Sequence, residues 1–449
     1  MAKIASLSGF PEWLPEGRIV EQQLLDTLRS TFELHGFSGI ETRAVEPVSA
    51  LLSKGETSKE IYLLSRLQAA RGGEGHADKD AELGLHFDLT VPLARYVLEH
   101  AGNLEFPFRR YQIQKVWRGE RPQDGRFREF VQADVDVVGR DTLAFHHEIE
   151  LPLVMVDALS KLPIPRVIIR ASNRKVAQGF YEAIGIEDVE ETLRIIDKLD
   201  KVGEAVVAEL LAERVHATDE QAKLALKLAT ITGTDARFAD EIKALGYSSE
   251  TLDKGLEELV ALVEGANELM PGAVIADLKI ARGLDYYTGS VYESTLIGHE
   301  DLGSVCSGGR YDSLASDGKR TFPGVGLSIG VSRLLSRVIG SGLVTPTRKV
   351  PSAVLVAVTD EEHRAEALRT AMALRERGIA TEVSPNSAKF GKQIKYADKR
   401  GIPFVWFSGE DGEQVKDIRS GEQVNADPQT WMPPAEDLHP RVVAGESEL

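Results

Sequence analysis

The stretch EFVQADVDVV, residues 129–138, alternates strictly from its second residue onward. Valine or alanine fills every odd position from 131 to 137, and the even positions carry Phe130, Gln132, Asp134 and Asp136. Side chains of a strand point to opposite faces with period two, so this stretch predicts a strand with one apolar face and one face rich in acceptors. Buried Gln and Asp residues cost free energy unless they are paired, and a polar ligand would pair them.

The loop that leads into this strand is rich in arginine. Arg118 ends the preceding strand, Gly125 closes the loop, and Arg126 and Arg128 open the return strand. A guanidinium binds phosphate oxygens through two N–H groups and keeps its charge, so arginines beside a polar sheet face suit a nucleoside triphosphate. The alternative is a surface hairpin in which these arginines pair with acidic neighbours such as Glu120.

Composition limits the class of protein. The 449 residues predict two to four domains at about 100–200 residues each. A single cysteine, Cys306, excludes internal disulfides and argues against zinc bound by cysteines, which fits a reducing compartment. No run approaches the roughly 20 apolar residues of a membrane span. We expect a cytoplasmic protein without membrane contact, without a metal site and without an organic cofactor.

The pattern of elements predicts an α+β protein with two main parts. Residues 1–340 form a first domain, in which the helix-rich segment 175–270 is an insertion between strands. A linker, 341–351, leads to an α/β domain at 352–449, where strands and helices alternate. The net charge of −17 argues against general nucleic-acid binding, although Lys and Arg are concentrated in residues 389–400.

Two further motifs contain glycine and tyrosine. RGLDYYTGSVYE at 282–293 has adjacent tyrosines, and only one of two adjacent strand residues can line a given surface. SGGRYD at 307–312 has two glycines that permit close approach of a ligand. An ordinary hairpin with aromatic packing and an ordinary turn explain the same residues equally well or better.

Two short segments have more than one interpretation. GVGLSIGVSRL at 324–334 is neither a Rossmann nor a P-loop motif, and as a strand entering a helix it puts Arg333 in the first turns of that helix. Asp88 and Thr90 are two residues apart in LHFDLT and share a strand face. Asp88 there either pairs with an amino group or caps the next helix, for which Thr90 can also supply a capping hydroxyl.

Taken together, these stretches resemble the class II aminoacyl-tRNA synthetases, and closely the histidyl-tRNA synthetase family. VWRGERPQDGRFREFVQADVD is similar to class II motif 2 and GVGLSIGVSRL to motif 3. RGLDYYTGSVYE with SGGRYD resembles the more specific histidine-binding signature. KFGKQIKYADKRG resembles the anticodon-binding domain of the family. The resemblance implies a catalytic domain built on an antiparallel six-stranded sheet flanked by helices, whose polar face holds ATP and histidine.

The resemblance also implies roles for single residues. Arg118 and Arg282 would be catalytic by contacting the α-phosphate of ATP. The ATP-binding residues would be Arg118, Glu120, Arg126, Phe130 and Arg333. The histidine-binding residues would be Asp88, Thr90, Gln132, Asp136, Arg282, Tyr286 and Tyr287. Magnesium would accompany ATP, and the protein would form a homodimer. The glycine-rich segment 66–82 lies where the family has a loop near the active site and is expected to close on binding.

Contacts with tRNA(His) are expected at two places. In the hairpin loop the candidates are Arg121, Gln123 and Arg128, on position only. In the C-terminal domain they are Lys392, Lys395 and Lys399, although any surface helix can carry lysines at that spacing. Three alternatives to a histidyl enzyme remain open: a regulatory paralogue that senses histidine, an RNA-binding protein with an inactive catalytic fold, and another synthetase of the same subclass.

Overall fold

The computed structural model describes residues 6–52, 61–65, 82–280, 287–313, 315–316, 318–409 and 412–445. The chain divides into two units. The first comprises the described residues within 1–11 and 26–337, and the second those within 12–25 and 338–449. All but the last residue of the segment expected to be an active-site loop, 66–82, lies outside the described part of the chain.

The described strands of the first unit are two to ten residues long. They are β1 (Ser38–Gly39), β2 (Val45–Pro47), β3 (Leu63–Leu64), β4 (Leu83–Leu85), β5 (Phe108–Trp117), β6 (Glu129–Val138), β7 (Val167–Asn173), β8 (Thr232–Gly233), β9 (Val274–Asp277), β10 (Ser290–Leu296), β11 (Cys306–Tyr311) and β12 (Gly324–Gly330).

The helices up to the end of the first unit follow in the same order. They are α1 (Pro15–Leu34), α2 (Val48–Leu51), α3 (Thr90–His100), α4 (His146–Ser160), α5 (Arg174–Ala183), α6 (Val189–Ile196), α7 (Leu199–Val202), α8 (Glu204–Val215), α9 (Asp219–Ala229), α10 (Arg237–Lys243), α11 (Glu250–Leu269) and α12 (Val331–Gly340). Among the helices that the structure describes, none is long and apolar enough to cross a membrane.

The first unit is built on one large sheet with the strand order β1-β5-β6-β12-β11-β10-β7-β9-β8. Its six central strands, from β5 to β7 in that order, pair with one another in antiparallel fashion. The expected six-stranded antiparallel sheet is therefore confirmed, and short strands extend it on both sides. Helix α4 packs against β6, β7 and β12.

In the hairpin of β5 and β6, apolar and polar side chains alternate between the two faces of the sheet, as the sequence predicted. Ala133, Val135 and Val137 are fully buried, as an apolar sheet face requires. On the other face, Arg110 is paired in register with Asp136. Gln112 lies opposite Asp134 and Gln114 opposite Gln132 in the same way. A continuous polar row thus crosses two adjacent strands of the sheet.

The expected insertion at 175–270 is helical over most of its length and contains the short strand β8. Side-chain caps start several helices, among them a capping box of Thr218 and Gln221 at α9. Helices α5 and α11 cross closely because Gly179 and Gly255 lie at the contact. A Cβ on Gly179 would lie 2.4 Å from the backbone N of Leu252, which leaves room only for glycine.

Two local expectations need correction. The strand expected in LHFDLT ends at Leu85, so Asp88 and Thr90 do not share a strand face. Thr90 does not cap helix α3, since Leu89 holds the N-cap position without a side-chain bond. The carboxylate of Asp88 accepts from the backbone N–H of Val91 instead, at 3.0 Å.

In the second unit a five-stranded sheet has the order β15-β14-β16-β17-β18. Its elements are β14 (Val354–Val356), α13 (Arg364–Glu376), β15 (Thr381–Val383), α14 (Phe390–Arg400), β16 (Phe404–Gly409), β17 (Gly412–Asp417) and β18 (Gln423–Asn425). The parallel strands β14, β15 and β16 alternate with helices as predicted. Within the segment expected as a linker, β13 (Val344–Pro346) pairs with β19 (Val442–Ala444).

Candidate active site

An open cleft of about 250 Å³ lies where β5, β6 and β12 meet the hairpin loop and helix α12. Its lining includes five of the residues that the sequence assigned to ATP or phosphate, together with Gln132. The lining residues are Arg118, Glu120, Gly125, Arg126, Phe127, Phe130, Gln132, Ser304, Val305, Ser307, Ser328, Gly330 and Arg333. Three guanidinium groups against one carboxylate give this cleft a positive charge.

Arg118 is fixed at the end of strand β5. Its Nε donates to the backbone oxygen of Phe87 at 3.0 Å, and its guanidinium carbon lies 5.2 Å from the ring centre of Phe130. The terminal nitrogens of this guanidinium have no hydrogen bond to a described residue. A guanidinium held by Nε and by a ring face has its other N–H groups available for a second partner, such as a phosphate.

Arg333 lies in the first turn of helix α12, as predicted from the strand-to-helix motif. It donates through Nη1 to the backbone oxygen of Ser304 at 3.1 Å and through Nη2 to that of Leu302. Its side chain passes close to Gly125, whose Cβ would lie 3.1 Å from Cγ of Arg333. The loop glycine therefore makes room for this arginine at the wall of the cleft.

Glu120 and Arg126 face each other across the hairpin loop. Their closest charged atoms, Oε2 and Nη1, are 3.8 Å apart, and Arg126 is exposed. An exposed ion pair at this separation contributes little to stability, at most about 1 kcal/mol. Both groups can therefore exchange partners readily when a ligand enters the cleft.

The polar face of β6 continues from the cleft toward Asp136. Nε2 of Gln132 donates to the hydroxyl of Ser328 at 2.8 Å, whereas its buried Oε1 has no partner among the described residues. Asp136 is buried, with Oδ2 2.7 Å from Nη2 of Arg110 and Oδ1 accepting from the hydroxyl of Tyr311 at 2.8 Å. These two contacts hold the Asp136 carboxylate in one orientation.

Asp134 lies between these two residues on the same strand face and is almost fully buried. Burial raises the pKa of its carboxyl group to about 7, and the neighbouring Asp136 adds to the effect while Arg110 opposes it. Oδ2 of Asp134 is 4.0 Å from Nη2 of Arg110, and Oδ1 has no partner within the described part of the chain. Two buried carboxylates thus share one arginine beneath the site.

The other predicted histidine contacts are only partly described. Arg282 and Tyr286 lie outside the described residues. Tyr287 packs against β11, where a Cβ on Gly309 would lie 2.8 Å from its ring. Thr90 begins helix α3, and Asp88 lies just before it. Gly309 is paired in register with Gly326, and Gly326 with Asp136, so Tyr287 and Asp136 flank two glycines in one row of the sheet.

The predicted tRNA contacts lie on two surfaces. In the hairpin loop, Arg121 and Gln123 are exposed, and Nε of Arg128 donates to the backbone oxygen of Glu120 at 3.1 Å. In the second unit, the lysines at 392, 395 and 399 are all exposed on helix α14. Gln393 and Ala397 form the buried side of that helix, so the lysines share its solvent face.

Sequence reasoning missed several residues of this site. Arg110 and Tyr311 orient Asp136, while Ser304, Ser307 and Ser328 line the cleft. Period-two alternation on β5 could have identified Arg110, since it lies on the same face as Gln112. Tyr311 belongs to the motif SGGRYD, which the sequence interpretation used without assigning that residue a role. The described residues contain no group of three or more His, Cys, Asp or Glu side chains that could hold a metal ion.

Comparison with known proteins identifies the family. The family model described as histidyl-tRNA synthetase matches residues 9–334, and the model described as anticodon binding domain matches residues 352–430. The chain belongs to the histidyl-tRNA synthetase family. A match to this family excludes another synthetase of the subclass. The anticodon-binding match argues against a regulatory paralogue, because such paralogues generally lack that domain.

Relatives of the histidyl-tRNA synthetase family match over nearly the full length. The histidine–tRNA ligase of Micrococcus luteus is 58% identical, with 99% of this chain and 100% of the relative covered. That of Cutibacterium acnes is 55% identical, with 99% of each chain covered. The crystal structure of histidyl-tRNA synthetase from Nostoc sp. is similar with a TM-score of 0.83 and 38% identity, covering 94% of this chain and 97% of that one.

Proposed function

We propose that the cleft binds ATP, that the polar face of β6 beside it binds histidine, and that the two react there. The chain is a histidine–tRNA ligase that depends on ATP and uses histidine and tRNA(His) as substrates. The single observation that carries the site assignment is the continuity of cleft and strand face. Gln132 lines the cleft, and Asp136 follows four residues later on the same face of the same strand.

For ATP, the support is charge and shape. Arg118, Arg126 and Arg333 surround a cleft that also contains the ring of Phe130. Arg118 would bind the α-phosphate, and Arg126 and Arg333 would lie near the γ-phosphate. Phe130 would stack on the adenine, and Glu120 would accept a hydrogen bond from the adenine amino group. Stacking on an aromatic ring suits any base, so the carboxylate of Glu120 would supply the selection for adenine.

For histidine, the support is the set of acceptors beside the cleft. Asp88, Thr90, Gln132 and Asp136 would bind the α-amino group and nearby polar atoms, while Tyr287 would face the imidazole and Tyr286 the edge of the pocket. Arg282 would reach the α-phosphate from this side. An imidazole offers one donor and one acceptor, and a site that pairs both rejects apolar amino acids strongly.

The chemistry follows from this arrangement. The carboxylate of histidine attacks the α-phosphorus, the histidyl-adenylate forms, and pyrophosphate leaves. Negative charge grows on the non-bridging oxygens, and fixed guanidinium groups stabilise it without reorganising. Holding the two substrates in line supplies most of the remaining rate enhancement, so no side chain needs to act as a nucleophile.

In the second step, a ribose hydroxyl of the terminal adenosine of tRNA(His) attacks the carbonyl carbon of the adenylate, and AMP leaves. Arg121, Gln123 and Arg128 on the hairpin loop would contact the acceptor end. Lys392, Lys395 and Lys399 would contact tRNA phosphates from the second unit, since exposed lysines on one helix face neutralise a nucleic-acid backbone. We assign no side-chain base to this step.

Two further points complete the proposal. Magnesium would enter with ATP as the counter-ion of its phosphates. The protein would act as a homodimer, in line with the resemblance to class II enzymes. Light scattering of the purified chain measures this directly, and a mass of one chain would contradict it.

The test of the proposed function is pyrophosphate exchange into ATP, scanned over the twenty amino acids. We expect exchange with histidine alone, and we expect Arg118→Ala and Arg282→Ala each to lose it. Arg121→Ala is the matched control, because it removes an exposed arginine of the same loop that does not line the cleft. Exchange retained in Arg118→Ala would contradict the assignment of the cleft to ATP.

A further inference from the structure

A short segment, residues 86–88, is attached to the end of strand β5 by its first residue. His86 is fully buried, and its Nε2 lies 2.7 Å from the backbone oxygen of Lys115. Its ring stacks on the indole of Trp117, with centres 5.6 Å apart and an angle of 28° between the planes. The backbone N–H of Trp117 donates to the backbone oxygen of His86 at 3.1 Å. Side chain and main chain thus both fasten His86 to β5.

Of the next two residues, Phe87 contacts a proposed ATP ligand, and Asp88 is itself a proposed histidine ligand. The backbone oxygen of Phe87 accepts from Nε of Arg118 at 3.0 Å. Asp88 follows, and its Oδ1 accepts from the N–H of Val91 at the start of helix α3. Because Arg118 is the proposed α-phosphate ligand and Asp88 a proposed histidine ligand, one tripeptide connects the two halves of the site.

We propose that His86 is a positioning residue for adenylate formation, which fixes the separation between Asp88 and Arg118. The inference rests on the proposed function, since it uses the roles given there to those two residues. In-line attack needs the carboxylate of histidine about 3–3.5 Å from the α-phosphorus, and a misplacement of about 1 Å can cost about a hundredfold in rate. The hydrogen bond of His86 holds the tripeptide to β5 and thereby helps to set the distance between the carboxylate of histidine and the α-phosphorus.

The chemistry of His86 fits the role of a neutral hydrogen-bond donor that is held in a fixed position. A backbone oxygen accepts, so Nε2 must carry the proton and Nδ1 is the unprotonated nitrogen. Nδ1 is buried and has no partner among the described residues. Burial lowers the pKa of His86. The bond to Lys115 and the charges of Asp88 and Glu46 act in the opposite direction and raise this pKa, but burial has the larger effect. The ring is therefore neutral at neutral pH and keeps the donor that the contact requires.

The test compares three variants by pyrophosphate exchange. His86→Leu removes the donor and leaves the backbone oxygen of Lys115 without this hydrogen bond. His86→Asn keeps an amide that is too short to reach the Nε2 position, whereas His86→Gln can extend an amide N–H to it. We expect Leu and Asn to lower kcat about 10- to 100-fold with the KM values for ATP and histidine changed by less than about threefold. We expect Gln to restore most of kcat.

A matched control keeps the backbone oxygen of Lys115 as acceptor and changes only the side chain of that residue. Lys115→Ala leaves the backbone oxygen that His86 bonds and removes an exposed amine paired with Glu129. It should retain the kcat of the unchanged protein. The fraction of folded sites is measured by adenylate burst titration, so kcat refers to active sites. Unchanged kcat in both His86→Leu and His86→Asn would overturn the inference, and so would equal losses in the Asn and Gln variants.

Failure of this inference can be told apart from failure of the proposed function. Arg118→Lys and Asp88→Asn are measured in the same assay. If both retain the kinetic constants of the unchanged protein, the substrate roles themselves are wrong. If both lose activity while the His86 variants retain it, the roles stand and only the positioning by His86 is wrong.

Discussion

Gly326 and Asp136 are register partners on β12 and β6, and the carboxylate of Asp136 occupies the space that a side chain at residue 326 would fill. A Cβ built on Gly326 would lie 2.0 Å from Oδ1 of Asp136. Arg110 and Tyr311 hold the carboxylate in this place from two other strands. The position of the proposed histidine ligand therefore depends on the absence of a side chain on the neighbouring strand.

Gly326→Ala should displace Asp136 and weaken histidine binding. We expect the KM for histidine to rise about tenfold or more, as the loss of a charged hydrogen bond of about 1.5–3 kcal/mol implies. The KM for ATP should change little, since the residues proposed to bind ATP lie elsewhere in the cleft. Gly102→Ala is the control, because a Cβ there meets no atom within 4 Å. Equal increases in both KM values would contradict a specific effect on Asp136.

Asp134→Asn should change how stability depends on pH. The folded-state pKa of Asp134 is raised to about 7 by burial, so between about pH 4 and 7 the folded state binds more protons than the unfolded state. The contribution of Asp134 to the stability of the unchanged protein falls as pH rises through that window, at a rate of up to about 1.4 kcal/mol per pH unit, and the variant lacks this loss. The free energy of unfolding of the variant minus that of the unchanged protein should therefore increase from about pH 5 to 7 and then level off.

Denaturant unfolding at a series of pH values measures this difference. Asp240→Asn, at an exposed position of helix α10, is the control for replacing a carboxylate by an amide. A constant difference for Asp134→Asn would show that the buried carboxyl group titrates at its ordinary pKa.

Arg333→Lys should raise the KM for ATP although charge is conserved. The guanidinium donates to two backbone oxygens at once, which an ammonium on a flexible stem cannot reproduce with the same geometry. We expect an increase of about tenfold, equivalent to about 1.4 kcal/mol. Arg337→Lys tests the same change one turn further along helix α12, where the arginine pairs with Asp301 outside the cleft. Similar constants for the two variants would argue against a role of Arg333 in ATP binding.

Reversal of charge on helix α14 should affect only the step that uses tRNA. The double variant Lys395→Glu and Lys399→Glu should raise the KM for tRNA about tenfold or more and reduce its dependence on salt. Pyrophosphate exchange should stay intact, because that reaction does not involve tRNA. Arg369→Glu, on the exposed side of helix α13 in the same unit, is the control. An unchanged KM for tRNA in the double variant would indicate that these lysines only form a solvated helix face and do not contact tRNA.

Part of the candidate site could be predicted, because the alternation of polar and apolar residues along a strand can be recognised in the sequence alone. Alternation along β6 identified Gln132 and Asp136 as residues of one polar face, and the arginine-rich loop identified the cleft. The partners of these residues come from elsewhere in the chain. Tyr311 contacts Asp136 across 175 positions, and Ser328 contacts Gln132 across 196. No local pattern encodes such pairs, since they depend on the strand order of the sheet.

The sequence by itself determined the order of the elements, the polar face of the hairpin and the α/β alternation of the second unit. Periodicity, glycine and the chemistry of arginine act over a few residues, so they can be recognised along a single chain. Only the tertiary structure decided that Gly326 would make room for Asp136 and that His86 would attach its segment to β5. Each of these depends on atoms that folding brings within about 3 Å, at distances that spacing along the chain does not fix.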